Sequence, residues 1–166
     1  MGVSTWRAMF GVAVLAAALA VTADAWLTWD ERLTDKGFFA AQRYTLDLGV
    51  VEPGVAYTYQ FRSPSSDRFC LGLHTSGWSA EQRASGQARL VVAHEGTVLI
   101  EPPMGLREWT VSTSAGVLPQ IIYARDPSGT CADLQRYRHY TVAFQLSTAV
   151  PLSADTHLIM QGGGWK

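Results

Sequence analysis

The chain has 166 residues, with 13 Lys and Arg against 14 Asp and Glu, and its formal net charge is −1. A charge this close to zero argues against nucleic-acid binding, which requires a basic face that displaces counterions from the phosphates. It argues equally against electrostatic docking on anionic membranes.

The N-terminal segment has the layout of a secretory signal peptide. Arg7 precedes an uncharged apolar run from Ala8 to Val21, which is shorter than the roughly 20 residues that cross a bilayer. Small residues follow at Ala23 and Ala25, the positions that a signal peptidase reads, so we predict cleavage after Ala25. The sequence thus predicts a signal peptide over residues 1–25 and a location in the periplasm or outside the cell. An uncleaved membrane anchor is the alternative.

Residues 26–166 consist mainly of short segments with the pattern of β-strands. Apolar and polar residues alternate between turn residues, for example at Tyr44 and Leu46 before the turn Pro53-Gly54. We predict eight or nine strands within the segments 44–50, 55–62, 69–74, 88–93, 97–101, 107–113, 120–125, 140–147 and 157–160. A helical turn or two is expected only within residues 28–36.

Strands without intervening helices predict an all-β fold. For an exported chain of this length, we predict a single antiparallel β-sandwich or jelly roll over residues 26–166, with a closed barrel as the second choice. The alternating faces predict that one core between the sheets contains Tyr57, Tyr59, Phe61, Val142 and Phe144.

The two cysteines are Cys70 and Cys131. Two cysteines in an exported domain most often pair, because the compartment is oxidising. We therefore predict one disulfide between them. A reactive thiol or a metal ligand is the alternative, but the sequence has no C-x-x-C and no histidine at ligand spacing beside either cysteine.

No motif in the sequence indicates catalysis. The four histidines are not at metal-ligand spacing; they are His74, His94, His139 and His157. Ser76 and Ser79 lie near His74 and Glu81, but the G-x-S-x-G elbow of serine hydrolases is absent. The sequence therefore predicts a protein that is not an enzyme and binds neither a metal nor a cofactor.

Three short motifs carry a resemblance to a known group of proteins. They are Gly54-x-x-Tyr57-x-Tyr59-x-Phe61, Arg107-x-Trp109 and Tyr140-x-Val142-x-Phe144, the last followed by Pro151 and a short apolar strand. In this layout the chain resembles the small exported β-sandwich proteins of bacteria that are catalogued as domains of unknown function. The resemblance implies a periplasmic all-β domain and transfers no active-site residue.

Two segments interrupt the strand pattern and are candidate binding loops. Thr75–Gln87 is long, rich in Ser, Gly and Ala, and contains Trp78 and Arg83, whereas Pro102–Arg107 is stiffened by two prolines and contains Met104. Trp, Met and Arg are enriched among the anchors of protein interfaces. The predicted partner-binding residues are Trp78, Arg83, Met104 and Arg107.

The leading functional prediction is a non-catalytic protein-interaction module, such as an immunity or inhibitor protein in the periplasm. A carbohydrate-binding module is the alternative, because six Trp and six Tyr offer surface for sugar stacking. A fimbrial or surface-assembly subunit is a further alternative, suggested by Trp165 and the expected disulfide. The expected partner is another protein or a carbohydrate, with no nucleic acid and, after signal cleavage, no membrane.

Overall fold

The computed structural model describes residues 3–27, 29–31, 33–36, 44–75, 77–113, 120–123, 129–149 and 156–162. It begins with the helix α1 (Val3–Leu27), which continues without a break through Ala25. Within it, Met9–Leu27 is long and apolar enough to cross a membrane. Such a helix fits either a signal sequence or a membrane anchor.

The strands of the described residues form two antiparallel sheets. The eleven strands are β1 (Leu33–Lys36), β2 (Tyr44–Val50), β3 (Ala56–Arg62), β4 (Arg68–Thr75), β5 (Gln87–His94), β6 (Thr97–Ile100), β7 (Thr110–Thr113), β8 (Gln120–Tyr123), β9 (Cys131–Asp133), β10 (His139–Ser147) and β11 (His157–Gly162). One sheet has the order β1-β2-β11-β4-β8-β7, with β9 also paired to β4, and the other has the order β3-β10-β5-β6. Two short helices complete the fold, α2 (Ala80–Ser85) and the 3₁₀ helix Leu106–Glu108.

The two sheets pack face to face through apolar side chains at every second position. Leu71 and Met160 of the seven-stranded sheet are buried, as are Leu90 and Phe144 of the four-stranded sheet. All four belong to one cluster of buried residues. The predicted all-β antiparallel sandwich is therefore confirmed.

The predicted core residues differ in how deeply they are buried. Phe61, Val142 and Phe144 are 3%, 0% and 2% exposed. Tyr57 and Tyr59 are only half-buried and pack against the edge of the same cluster. Their shallow position follows from the sheet order, because β3 is an outer strand of the four-stranded sheet.

The predicted disulfide between Cys70 and Cys131 is confirmed. The two residues lie directly opposite each other in the pairing of β4 with β9. β9 also lies close to β6 of the other sheet. The bridge thus ties a strand at the margin of the sandwich to a strand in the middle of the larger sheet, and it fits an oxidising compartment.

Two of the strands were not predicted from the sequence. Leu33–Lys36 pairs with β2 as a strand, so the helical turn expected within residues 28–36 is wrong for these four residues. β9 has only three residues, too few for an alternating pattern to be recognised. The end of the strand predicted over 120–125 lies outside the described residues.

Candidate functional site

The predicted binding loop Thr75–Gln87 contains the short helix α2. The Ser79 side chain accepts a hydrogen bond from the backbone N–H of Gln82, and the Gln82 side chain accepts one from the backbone N–H of Ser79. This reciprocal pair is a capping box, which satisfies two of the free N–H groups at the helix start. The sequence Ser79-x-x-Gln82 is the signal for this helix, which was not among the predicted elements.

Helix α2 packs against the 3₁₀ helix and brings the two predicted binding loops together. The N–H of Leu106 donates to Gly86 O at 3.0 Å, and the N–H of Ala88 donates to Met104 O at 2.8 Å. The Leu106 side chain is buried and fills the space where a β-carbon on Gly86 would stand. The two loops, separate in sequence, therefore form one continuous end of the sandwich.

Trp78 is placed in the core and not on the surface. Its side chain is 4% exposed, and its indole Nε1 donates a hydrogen bond to Thr156 Oγ1 at 3.1 Å. The indole is thus one of the groups that hold the end of the sandwich together. This corrects the prediction that Trp78 is accessible to a partner.

The other three predicted anchors reach the surface to different extents. Met104 is 51% exposed, and Arg107 is exposed on the 3₁₀ helix. Arg83 is half-buried on α2, and its Nε is buried and has no hydrogen-bond partner within the described residues. These three side chains therefore remain candidates for contact with a partner.

Exposed apolar side chains of β6 extend this surface. Val92 pairs with Ile100 and Ala93 pairs with Val98, so Leu99 is the extra residue of a β-bulge. Val98 and Leu99 are 52% and 39% exposed. Bulges commonly redirect a side chain at a functional edge. Here the residue at the bulge is the exposed Leu99.

These residues lie along one side of β5. Val98 is opposite Ala93, whereas Gly105 forms a bridge with Gln87 at the other end of the strand. The edge of β5 from Ala93 to Gln87 is about 20 Å long at the usual rise of a β-strand. We call the exposed side chains of Val98, Leu99, Met104 and Arg107, together with the half-buried Arg83, the Met104 surface.

The loop that carries Met104 is held by the core beneath it. Trp109 is buried, and its Nε1 donates a hydrogen bond of 2.8 Å to Pro103 O. Pro102 is also buried. Proline restricts the backbone, and the indole of Trp109 holds the carbonyl group of Pro103. The backbone that carries Met104 is therefore fixed.

Elsewhere in the fold, His157 lies beside Asp47. His157 Nδ1 lies 3.0 Å from Asp47 Oδ2, and the N–H of Gly49 donates to Asp47 Oδ1 at 2.8 Å. An imidazole beside a carboxylate does not by itself define a reaction. Over the described part of the chain, no group of three or more His, Cys, Asp and Glu could hold a metal ion.

The fold and this site define an all-β sandwich with one disulfide, an N-terminal apolar helix and an exposed apolar surface beside two arginines. The chain matches no protein-family model, no curated protein and no solved structure. The resemblance to small exported bacterial β-sandwich proteins therefore stays a prediction. Trp165, which suggested a fimbrial subunit, lies outside the described residues.

Proposed function

We propose that the sandwich is a non-catalytic module that binds another protein through the Met104 surface. An immunity or inhibitor protein of an exported toxin is the type that the size and the disulfide suit best. The observation that carries the proposal is the packing of α2 on the 3₁₀ helix, which presents Met104 and Arg107 together.

The composition of the surface supports a protein partner. Met and Arg are enriched in protein interfaces, and a few anchors provide most of the binding energy. Met104, Val98 and Leu99 supply apolar area that the described residues leave exposed. Because the loop beneath Met104 is already ordered by Trp109, binding loses little conformational entropy there.

The arginines indicate the chemistry of the partner. Arg107 is exposed, and Arg83 is half-buried. A guanidinium group binds a carboxylate through two parallel hydrogen bonds. We therefore expect a partner segment that places an Asp or Glu side chain next to apolar residues.

The experiment begins with a partner captured from an envelope extract with the full chain and identified by mass spectrometry. Its affinity is then measured for Met104→Ala and Arg107→Ala. Each should weaken binding about tenfold or more, the effect of losing roughly 1.4 kcal/mol at an anchor. Thermal stability should stay unchanged, because both side chains are exposed.

The matched control is Gln145→Ala, an exposed position on β10 outside the Met104 surface. It should bind as the parent does. If Met104→Ala and Arg107→Ala also bind as the parent does, the proposed surface is wrong, and another exposed part of the sheets becomes the candidate.

Carbohydrate binding is the second candidate, favoured by the pair Tyr57 and Tyr59. Their half-buried rings are parallel to within 3° with centroids 6.0 Å apart, and parallel aromatic faces suit sugar rings. Trp78 and Trp109 are buried and add nothing to such a platform. Retardation of the protein by a polysaccharide in affinity electrophoresis, abolished in Tyr57→Leu, would favour this function.

A further inference from the structure

Helix α1 needs an apolar environment that the sandwich does not provide. Its stretch Met9–Leu27 has 19 residues and a mean hydropathy of 1.9, and none of it is buried. At 1.5 Å per residue the stretch is about 28 Å long, which matches the roughly 30 Å hydrocarbon core of a bilayer. The uncharged apolar run ends at Val21, before Thr22 and Asp24, whereas the helix continues to Leu27. Asp24 is thus the one charged residue of the stretch, and it lies about 5 Å from the end of the helix that adjoins the sandwich.

Two tryptophans mark the end of this stretch. Trp26 lies in the last turn of α1 and Trp29 follows the helix, and they are 79% and 80% exposed. Tryptophan is enriched where a membrane helix meets the headgroups, since its ring is apolar and its N–H is polar. The two residues therefore suit a membrane–water boundary at the start of the sandwich.

The same end of α1 is bound to the sandwich. Asp24 Oδ1 accepts hydrogen bonds from Arg136 Nη2 at 2.6 Å and from the Tyr137 hydroxyl at 2.7 Å. The Arg136 guanidinium lies 5.0 Å from the centre of the Tyr137 ring. The hydrogen bond to Asp24 raises the pKa of Tyr137, which fits a hydroxyl that acts as donor.

We propose that α1 is retained as a membrane anchor and that Asp24 holds the Arg136 end of the sandwich against the bilayer, with Met104 and Arg107 at the far end. The sequence allows either cleavage after Ala25 or an uncleaved membrane anchor, and the proposal selects the uncleaved anchor. An exposed ion pair is weak on its own. The apolar helix therefore provides the attachment, and Asp24 provides the orientation.

The direction of β10 separates the two ends. His139, at the start of β10, directly follows the Arg136 loop, whereas Ser147 at its end pairs with Gln87. Gln87 in turn forms a bridge with Gly105, next to Met104. Nine residues of β-strand extend about 30 Å, so Met104 and Arg107 lie at the end away from the lipid. Val98 is opposite Ala93, which pairs with Thr141, and it therefore lies toward the membrane end. Arg136 and Arg138, both exposed, would face the headgroup phosphates.

The first test asks whether α1 is retained. The full-length chain is produced with its own N-terminus, and the membrane fraction is washed with alkaline carbonate and analysed by intact mass. A chain that keeps residues 1–25 and stays in the washed membranes supports the proposal. A soluble chain that begins at Trp26 overturns it, and leaves the protein-binding proposal intact.

The second test measures the orientation. Arg138→Cys and Ser85→Cys, one exposed position at each end, are labelled with a fluorophore under non-reducing conditions that leave the native disulfide closed. In vesicles whose lipids carry a spin label on the headgroup, quenching should be several-fold greater at position 138. Asp24→Asn should reduce this difference. Equal quenching at the two positions, or greater quenching at position 85, overturns the proposed orientation.

Discussion

Trp78 and Thr156 are joined by a buried hydrogen bond of 3.1 Å between the indole nitrogen and Oγ1. The bond connects the segment before α2 to the residue that precedes β11. Both residues are buried, at 4% and 0% exposed. The predicted binding loop Thr75–Gln87 is thus attached to the core at Trp78, and substitutions there test how much this contact stabilises the fold.

We expect Trp78→Ala to lower the free energy of unfolding by about 3–5 kcal/mol, because it leaves a large cavity. Thr156→Val should lower it by roughly 1–3 kcal/mol, since it removes the hydroxyl that accepts the indole bond. Thr156→Ser keeps the hydroxyl and is the matched control. Denaturant unfolding measures all three, and a Trp78→Ala protein as stable as the parent would contradict the buried position.

Phe144 and Gln145 are neighbours on β10 that face opposite sides of the sheet. Phe144 is 2% exposed, and Gln145 is exposed. Phe144→Ala should lower the free energy of unfolding by about 3–5 kcal/mol, enough to unfold much of a marginally stable domain. Gln145→Ala should change it by less than about 0.5 kcal/mol. Similar costs in the two variants would mean that the register is wrong.

The turn between β5 and β6 has an unfavourable residue at its first position. Glu95 and Gly96 both have positive φ, at 48° and 81°, and left-handed backbone costs an ordinary residue about 1–2 kcal/mol. Asn is preferred at that position in a two-residue hairpin. Glu95→Asn should therefore raise the free energy of unfolding by about 0.5–1 kcal/mol, a part of that cost. Glu95→Gln, which changes only the charge, should not raise it; an equal gain in both variants would exclude the backbone explanation.

The buried phenol of Tyr44 should make the free energy of unfolding depend on pH in the alkaline range. Burial of its ring raises the pKa of the phenol from 10.0 to about 12. Below pH 10 the phenol is protonated in both the folded and the unfolded chain. Between pH 10 and 12 the unfolded chain loses the proton first, so the folded state should lose about 2 kcal/mol by pH 12. Urea unfolding across this range should show the loss, and Tyr44→Phe should show a smaller one; equal slopes in the two proteins would contradict the assignment.

The strands that can be predicted from the sequence are those in which apolar and polar residues alternate several times in succession. β3 and β10 have seven and nine residues, so their buried and exposed faces could be predicted position by position. β1 and β9 are too short to show a period of two and are defined by pairing with distant strands. The disulfide was predictable because a chain with two cysteines allows only one intramolecular pairing.

The candidate site was predicted only in part. The composition indicated that Met104 and Arg107 are surface anchors, and both are exposed. The sequence could not show that Trp78 is buried, because its partner Thr156 follows 78 residues later. The meeting of the two loops and the outward position of Leu99 depend on the pairing of β5 with its neighbours, which local patterns do not encode.

The position of β11 has a consequence for how the protein is made. β11 is the last strand in the described chain, yet it pairs with β2 on one side and β4 on the other. The larger sheet cannot close before β11 has been synthesised. Until then β2 and β4 each expose an unpaired edge, which favours slow folding and intermolecular association. Closure of the larger sheet is therefore a late event in the folding of this domain.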